Sequence, residues 1–210
     1  MKALLAIVVL TAAVLLWWRG SVRGRPRPCP YWLTWMLENP YMNALAGSET
    51  LLDRAGVEAG MRVLDVGCGP GRVAIPAARR VGPSGHVTAF DLQPEMLRTV
   101  EDRARAAGLA NLRTAHGAIG TGTLGAEEYD RAFLVTVLGE IPDRRAALAE
   151  IYAALVPGGI LSVTEVLPDP HYRKRETVER AGAEAGFRLV GEFGTWIAFT
   201  LNFERPREAA

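Results

Sequence analysis

Residues 63–71 read VLDVGCGPG, an apolar run holding one acid, Asp65, that breaks into glycines at 67, 69 and 71. The segment 62–66 has the continuous apolar character of a strand covered on both faces. Gly67, Gly69 and Gly71 let the backbone turn sharply out of that strand and approach a ligand with no side chain in the way. A helix is predicted over 71–81, and its free N–H groups point into the same space. The spacing separates this loop from other glycine-rich loops. A G-x-G-x-x-G fingerprint would need its third glycine at position 72, which is Arg72. The pattern here is D-x-G-x-G-x-G, with the acid two residues before the first glycine. Asp91 stands at the end of a second predicted strand, where a carboxylate can accept hydrogen bonds from both hydroxyls of a ribose.

On either side of the loop the apolar pattern alternates between strand and helix. Strands are expected at 62–66, 86–91, 111–116, 129–137 and 159–166, and helices at 71–81, 94–107, 144–155 and 173–185. Two closing strands follow at 187–193 and 196–203. Repeated strand–helix alternation implies an α/β fold, a Rossmann-like doubly wound sheet with helices on both faces. Gly194-Thr195 can turn the chain between the last two strands, so the final one is expected to run antiparallel. Ligands of such sheets bind outside the carboxyl ends of the strands, at the switch point.

The chain of 210 residues is 49% hydrophobic and 22% charged, enough for one packed domain, assigned to 61–210. Its two cysteines, Cys29 and Cys68, sit in unrelated contexts and exclude a disulfide framework. The net charge of +1 divides unevenly. Residues 1–30 carry Lys2, Arg19, Arg23, Arg25 and Arg27 and no acid; taking those five from 24 bases leaves 19 against 23 acids, about −4 for the remainder. Residues 3–18 are uncharged and, as a helix, would reach ~24 Å, near the ~30 Å hydrocarbon core. A cleaved leader would want small residues where Trp17-Trp18-Arg19 stands, and a core helix would want a polar face where only Thr11 is polar. The expectation is a transmembrane anchor over 1–19 and a basic Arg/Pro linker over 20–30. Four arginines after the segment against one lysine before it put the C-terminal side in the cytoplasm. Residues 31–60 are expected to form a helical cap. Tyr31, Trp32, Trp35, Met36 and Tyr41 make it aromatic enough to pack on the domain or to roof a pocket at a membrane surface. Ser48 is read as the cap of a helix that buries Leu51 and Leu52, and Asn39-Pro40-Tyr41 as a turn.

Four blocks, VLDVGCGPG, VTAFDLQPEML, YDRAFLVTVLGEIPD and LVPGGILSVTE, together resemble the class I S-adenosylmethionine-dependent methyltransferases over about residues 50–204. The resemblance implies a seven-stranded sheet ending in a reversed hairpin, S-adenosylmethionine as cofactor, and transfer of one methyl group. Carried over residue by residue, Asp65, Gly67, Cys68, Gly69, Pro70 and Gly71 would shape the methionine end. Asp91 would hold the ribose, with Leu92, Gln93 and Met96 beside the adenine. Gly117 and Ala118 would close the far side, and Val135 and Thr136 would line the methyl-transfer site. Members of the family often have an acid after the third strand to meet the adenine amino group; Ala118 cannot do that, so backbone atoms or another side chain must.

The acceptor is narrowed by what is missing. No Asn/Asp-Pro-Pro-aromatic motif follows the fourth strand, and an acidic domain disfavours a polyphosphate backbone, so nucleic acid is not expected as a partner. His86, His116 and His171 are isolated and no metal is expected. Anchor, aromatic cap and orientation favour a small lipophilic acceptor: a lipid amine, a quinone precursor or phenol, or a thiol. Glu140 and His116 are the catalytic candidates, with Tyr31, Tyr41, His171 and Tyr172 as further possible bases. Two other classes stay open: a membrane-tethered S-adenosylmethionine-binding module without turnover, and an NAD-dependent oxidoreductase, against which Arg72 argues. The oligomeric state is not legible in the sequence.

Overall fold

The computed structural model describes residues 28–31, 34 and 38–207. The expected anchor over 1–19 and most of the basic linker lie outside the described residues, as do Trp32, Trp35 and Met36 of the cap. Among the described residues no helix is long and apolar enough to cross a membrane.

Seven strands form one sheet in the order β3-β2-β1-β4-β5-β7-β6: β1 Arg62–Val66, β2 His86–Asp91, β3 Leu112–His116, β4 Tyr129–Val135, β5 Leu155–Val166, β6 Arg188–Gly194 and β7 Ala198–Glu204. β1 to β5 pair in parallel, while β7 lies antiparallel between β5 and β6, so the expected reversed hairpin is present. This is the expected Rossmann-like doubly wound sheet of seven strands. The chain winds outward from β1 in one direction and resumes at β4 in the other. That reversal opens a crevice above the carboxyl ends of β1 and β4.

Successive residues of the central strands face opposite helical layers, as the two-residue repeat of a strand requires. Val63 and Phe133 pack toward α1 Pro40–Ala46, α2 Ser48–Arg54, α3 Ala74–Val81 and α4 Pro94–Ala106. Leu64, Val66, Ala132 and Leu134 pack toward α5 Arg144–Ala154 and α6 Arg175–Glu184. Both faces are covered, which is why these strands bury mostly apolar residues. Asp65 is a buried acid within β1. It sits fully buried on the α3 side, and its Oδ2 accepts from the Ala74 N–H at 2.9 Å, satisfying a free donor at the start of α3.

Several boundaries move for local reasons. The helix expected from Gly71 begins at Ala74, because Gly69 and Gly71 have φ of +50° and +88°, outside the right-handed helical region. Asn39-Pro40-Tyr41 is a helix start and not a turn: Asn39 Oδ1 accepts from Met42 N at 3.0 Å and Pro40 opens α1, where its missing N–H costs nothing. Ser48 is not the cap of α2. Gly47 holds that position without a side-chain bond, while Leu51 and Leu52 are buried as expected. β5 begins four residues earlier than expected, because Leu155 already pairs with Tyr129 ahead of a register shift.

Candidate active site

The carboxyl ends of β1, β2 and β4 converge on a cleft of about 810 Å³, part of it open to solvent. The glycine loop is held to β2 by the N–H groups of Gly67 and Cys68, which both donate to Phe90 O at 2.8 and 3.1 Å. Gly67, at φ +68°, has no room for a side chain: a Cβ there would stand 2.6 Å from Val137 Cγ2. Asp91 closes the arrangement. Its Oδ2 accepts from Gly69 N at 2.9 Å and its Oδ1 from Gln93 N at 2.8 Å, so the carboxylate is fixed at the cleft with further lone pairs available. Burial pushes its pKa up, and the N–H groups of Gln93 and Gly69 oppose that rise.

Eleven of the residues expected at the site line this cleft: Gly67, Gly69, Asp91, Leu92, Gln93, Met96, Gly117, Ala118, Val135, Thr136 and Glu140. Asp65, Cys68 and Pro70 line a smaller hollow beneath the loop, which shares Gly67, Gly69, Val135 and Thr136 with the cleft. Thr136 is held at φ +58°, an unfavourable conformation for a β-branched residue, by Thr136 N donating to Thr164 O at 2.8 Å. Two expected residues lie elsewhere. Gly71 lines neither space; a Cβ there would press on Val100 and Ile75 at 3.1 and 3.2 Å, so its role is close packing of α3 and α4. His116 is at the outer strand β3, with its Nε2 3.0 Å from Leu92 O, and does not line the cleft.

Three features escaped the sequence reading. Arg72, read only as a missing glycine, is nearly buried in the smaller hollow and donates to Ala46 O at 2.7 Å, placing a positive charge beside Asp65. Pro28 and Cys29 line the cleft, tied down by Gln93 Nε2 donating to Cys29 O at 2.8 Å and by the Cys29 backbone N–H donating to Glu140. Burial and the nearby Glu140 and Asp169 push the Cys29 thiol up to about 12, which leaves it protonated and inert near neutral pH. Finally, Glu140 is not alone. Its Oε1 lies 3.6 Å from His171 Nδ1, and Asp169 Oδ1 lies 3.8 Å from the same nitrogen. Among the described residues no group of three or more His, Cys, Asp or Glu side chains could hold a metal ion.

The chain is similar to known proteins in sequence and in fold. Residues 63–159 match the methyltransferase domain family. Demethylmenaquinone methyltransferase of Geobacillus kaustophilus is 33% identical over 112 residues, 53% of this chain and 48% of that protein. Nocamycin O-methyltransferase of Saccharothrix syringae is 35% identical over 126 residues, 59% of this chain and 44% of that protein. The chain thus spans about half the length of these curated relatives. A crystal structure of a SAM-dependent methyltransferase from Aquifex aeolicus superposes with a TM-score of 0.77 at 23% identity, covering 83% of this chain and 98% of that one.

The cofactor of the methyltransferase domain is S-adenosylmethionine, and the residues present fit it. Gly67 leaves the loop backbone bare where a Cβ would collide, Asp91 offers oxygens for ribose hydroxyls, and Met96 with half-exposed Leu92 supplies apolar surface for the adenine. Ala118 lines the cleft where members of the family often have an acid, so the departure from the family pattern stands.

Buried carboxyls make the stability of the fold depend on pH. Burial raises Asp65 to about 7 against the pull of the Ala74 N–H, and raises Glu165 to about 8 against that of the Arg173 N–H. Each group keeps its proton to higher pH in the folded than in the unfolded chain. Their contribution to stability is therefore complete below about pH 4 and is lost as pH rises through about 7 to 8. The expected result is a melting temperature of the cofactor-free protein that falls between pH 5 and 8.5. Glu165→Gln should remove up to ~1.4 kcal/mol per pH unit of that slope; a slope identical in the two proteins would contradict the assignment.

Proposed function

We propose that this protein transfers a methyl group from S-adenosylmethionine to a small lipophilic acceptor. The observation that carries this reading is the Asp91 carboxylate, fixed by Gly69 and Gln93 N–H groups in a cleft whose remaining wall is largely apolar: Val66, Phe90, Leu92, Met96, Ile119 and Ile141. When bound, S-adenosylmethionine supplies a methyl group already activated on a sulfonium sulfur. The protein's part is then alignment and exclusion of water. Asp91 would orient the ribose, Gly67 and Gly69 would let backbone approach the methionine portion, and Arg72, which lines the smaller hollow, would supply a cation near its carboxylate. Asp65, Cys68 and Pro70 shape that hollow, while Gln93, Gly117 and Ala118 border the adenine. Val135 and Thr136, which line both spaces, would meet the methyl group and the acceptor, with Glu140 on the acceptor side.

The names of the similar proteins, a demethylmenaquinone methyltransferase and an O-methyltransferase, agree with an apolar acceptor. So does the uncharged run over residues 3–18, which we take as a single-pass anchor holding the domain at the cytoplasmic face of a membrane. Full-length protein given methyl-labelled cofactor and a membrane lipid extract should place label in the organic-soluble fraction, resolved by thin-layer chromatography. Absence of label with retained cofactor binding would leave a binding module without turnover. The anchor has its own check: the full-length chain should stay with carbonate-washed membranes, and release into the supernatant would refute it.

A further inference from the structure

The wall of the cleft opposite Asp91 ends in a group of ionisable residues that binding a cofactor does not require. Glu140 follows β4, lines the cleft, and is flanked by His171 from the loop after β5. His171 is buried, and its Nδ1 lies between Glu140 Oε1 at 3.6 Å and Asp169 Oδ1 at 3.8 Å. Asp169 Oδ1 also accepts from His171 N at 2.7 Å, which fixes the loop that carries the imidazole. The two loops are packed backbone to backbone, for a Cβ on Gly139 would come within 2.7 Å of His171 Cβ and closer still to its carbonyl oxygen. Behind them Glu165, buried on β5, accepts from Arg173 N at 3.1 Å through Oε2, while its Oε1 is buried without a hydrogen-bond partner. Arg173 spends one guanidinium nitrogen on Gly139 O at 3.2 Å. Among the described residues no Lys or Arg is ion-paired with Glu140. Its charged and titratable surroundings are Asp91, Asp169, Glu165, His171 and the Cys29 thiol. Glu140 thus lines the cleft with the Cys29 N–H and the His171 imidazole beside it and, among the described residues, no cation to neutralise it.

We infer that Glu140 is the proton acceptor of the reaction, with His171 and Asp169 as its positioning residues, and that the acceptor is a weakly acidic hydroxyl compound, a phenol or enol. The inference rests on the methyl-transfer reading above. A lipid amine, with a pKa near 10, would enter as a cation against a largely apolar wall, and a thiol ionises near pH 8.5, whereas a phenol near 10 enters neutral and depends most on a base at neutral pH. In the step, the O–H bond of the acceptor breaks and its proton passes to a Glu140 oxygen. The acceptor's own oxygen forms a bond to the methyl carbon, and the carbon–sulfur pair stays on sulfur, leaving the methyl ether and S-adenosylhomocysteine. Burial, with Asp169 beside it, holds the Glu140 carboxyl well above the usual range, which makes it a stronger base than a solvated carboxylate.

The test uses full-length protein loaded with S-adenosylhomocysteine, and para-nitrophenol, whose phenolate absorbs visible light. Calorimetry first shows whether S-adenosylhomocysteine binds; if the unmodified protein does not bind it, the cofactor reading itself has failed. With the product bound, para-nitrophenol added below its own ionisation midpoint should turn to phenolate in the cleft. Glu140→Gln should bind both ligands yet lose the phenolate band, and His171→Gln should raise the midpoint of the bound phenol by about one pH unit. The inference is overturned if the loaded protein does not bind the phenol, binds it without ionising it, or ionises it equally well after Glu140→Gln.

Discussion

Asp91→Ala should weaken binding of S-adenosylhomocysteine by about a hundredfold or more. Each hydrogen bond to a charged group is worth roughly 1.5–3 kcal/mol, so losing two, one to each ribose hydroxyl, costs at least about 3 kcal/mol in binding. The same substitution strips Gly69 N and Gln93 N of their acceptors, and Gly69 N is buried. Leaving a buried donor unsatisfied costs a further ~1–3 kcal/mol of stability. Asp91→Asn separates the two effects, because its amide oxygen can serve one backbone donor while its charge is gone. It should fold nearly as well as the unmodified protein and still bind at least tenfold more weakly, about 1.4 kcal/mol. Calorimetric titration beside thermal melting reads both quantities. Affinity unchanged in Asp91→Ala would remove the carboxylate from the cofactor site and with it the main support for the methyl-transfer reading.

The cofactor side of the cleft was legible in the sequence because it is built locally. The D-x-G-x-G-x-G stretch turns within seven residues, and Asp91 is reached by a single strand–helix–strand unit, so spacing alone places them together. The acceptor side depends on pairing that spacing does not reveal. Glu140 and His171 are distant in the chain, but Val135 pairs with Thr164 in parallel, and the loops that follow the two strands are thereby laid side by side. His116 misled for the converse reason. It closes a strand, as a cleft residue should, but β3 is the outermost strand of its half and stands three strand spacings from β4, roughly 14 Å away. The Asn39-Pro40 helix start was missed because the same residues begin turns and helices alike, and only the contact from Asn39 to Met42 N separates the two. Arg72 shows another limit. Its position excluded one fingerprint, but nothing in the sequence says that a long cationic side chain folds back under the glycine loop to meet Ala46 O.

Gly139→Ala should lower stability by about 3 kcal/mol, the upper part of the range for overpacked sites, and the melting temperature by roughly 6–12 °C. The added methyl meets the backbone of His171, which has no rotamer to change, so either the loop after β4 or the loop after β5 must move. Moving either loop disturbs the Arg173 contact to Gly139 O and draws His171 away from Glu140. The Asp91 contacts to Gly69 N and Gln93 N are made by β1, β2 and the turns that follow them, and the loop after β4 meets the glycine loop through Val137 at Gly67. Affinity for S-adenosylhomocysteine should therefore fall far less than in Asp91→Ala, while ionisation of a bound phenol should be lost as fully as in Glu140→Gln. A variant that melts like the unmodified protein would show that the two loops are not held at this distance in solution. A variant that melts early yet still ionises the phenol would separate the packing of the loops from the proton acceptor. The glycine thus tests whether the structure of the acceptor side, and not merely the presence of a carboxylate there, produces its chemistry.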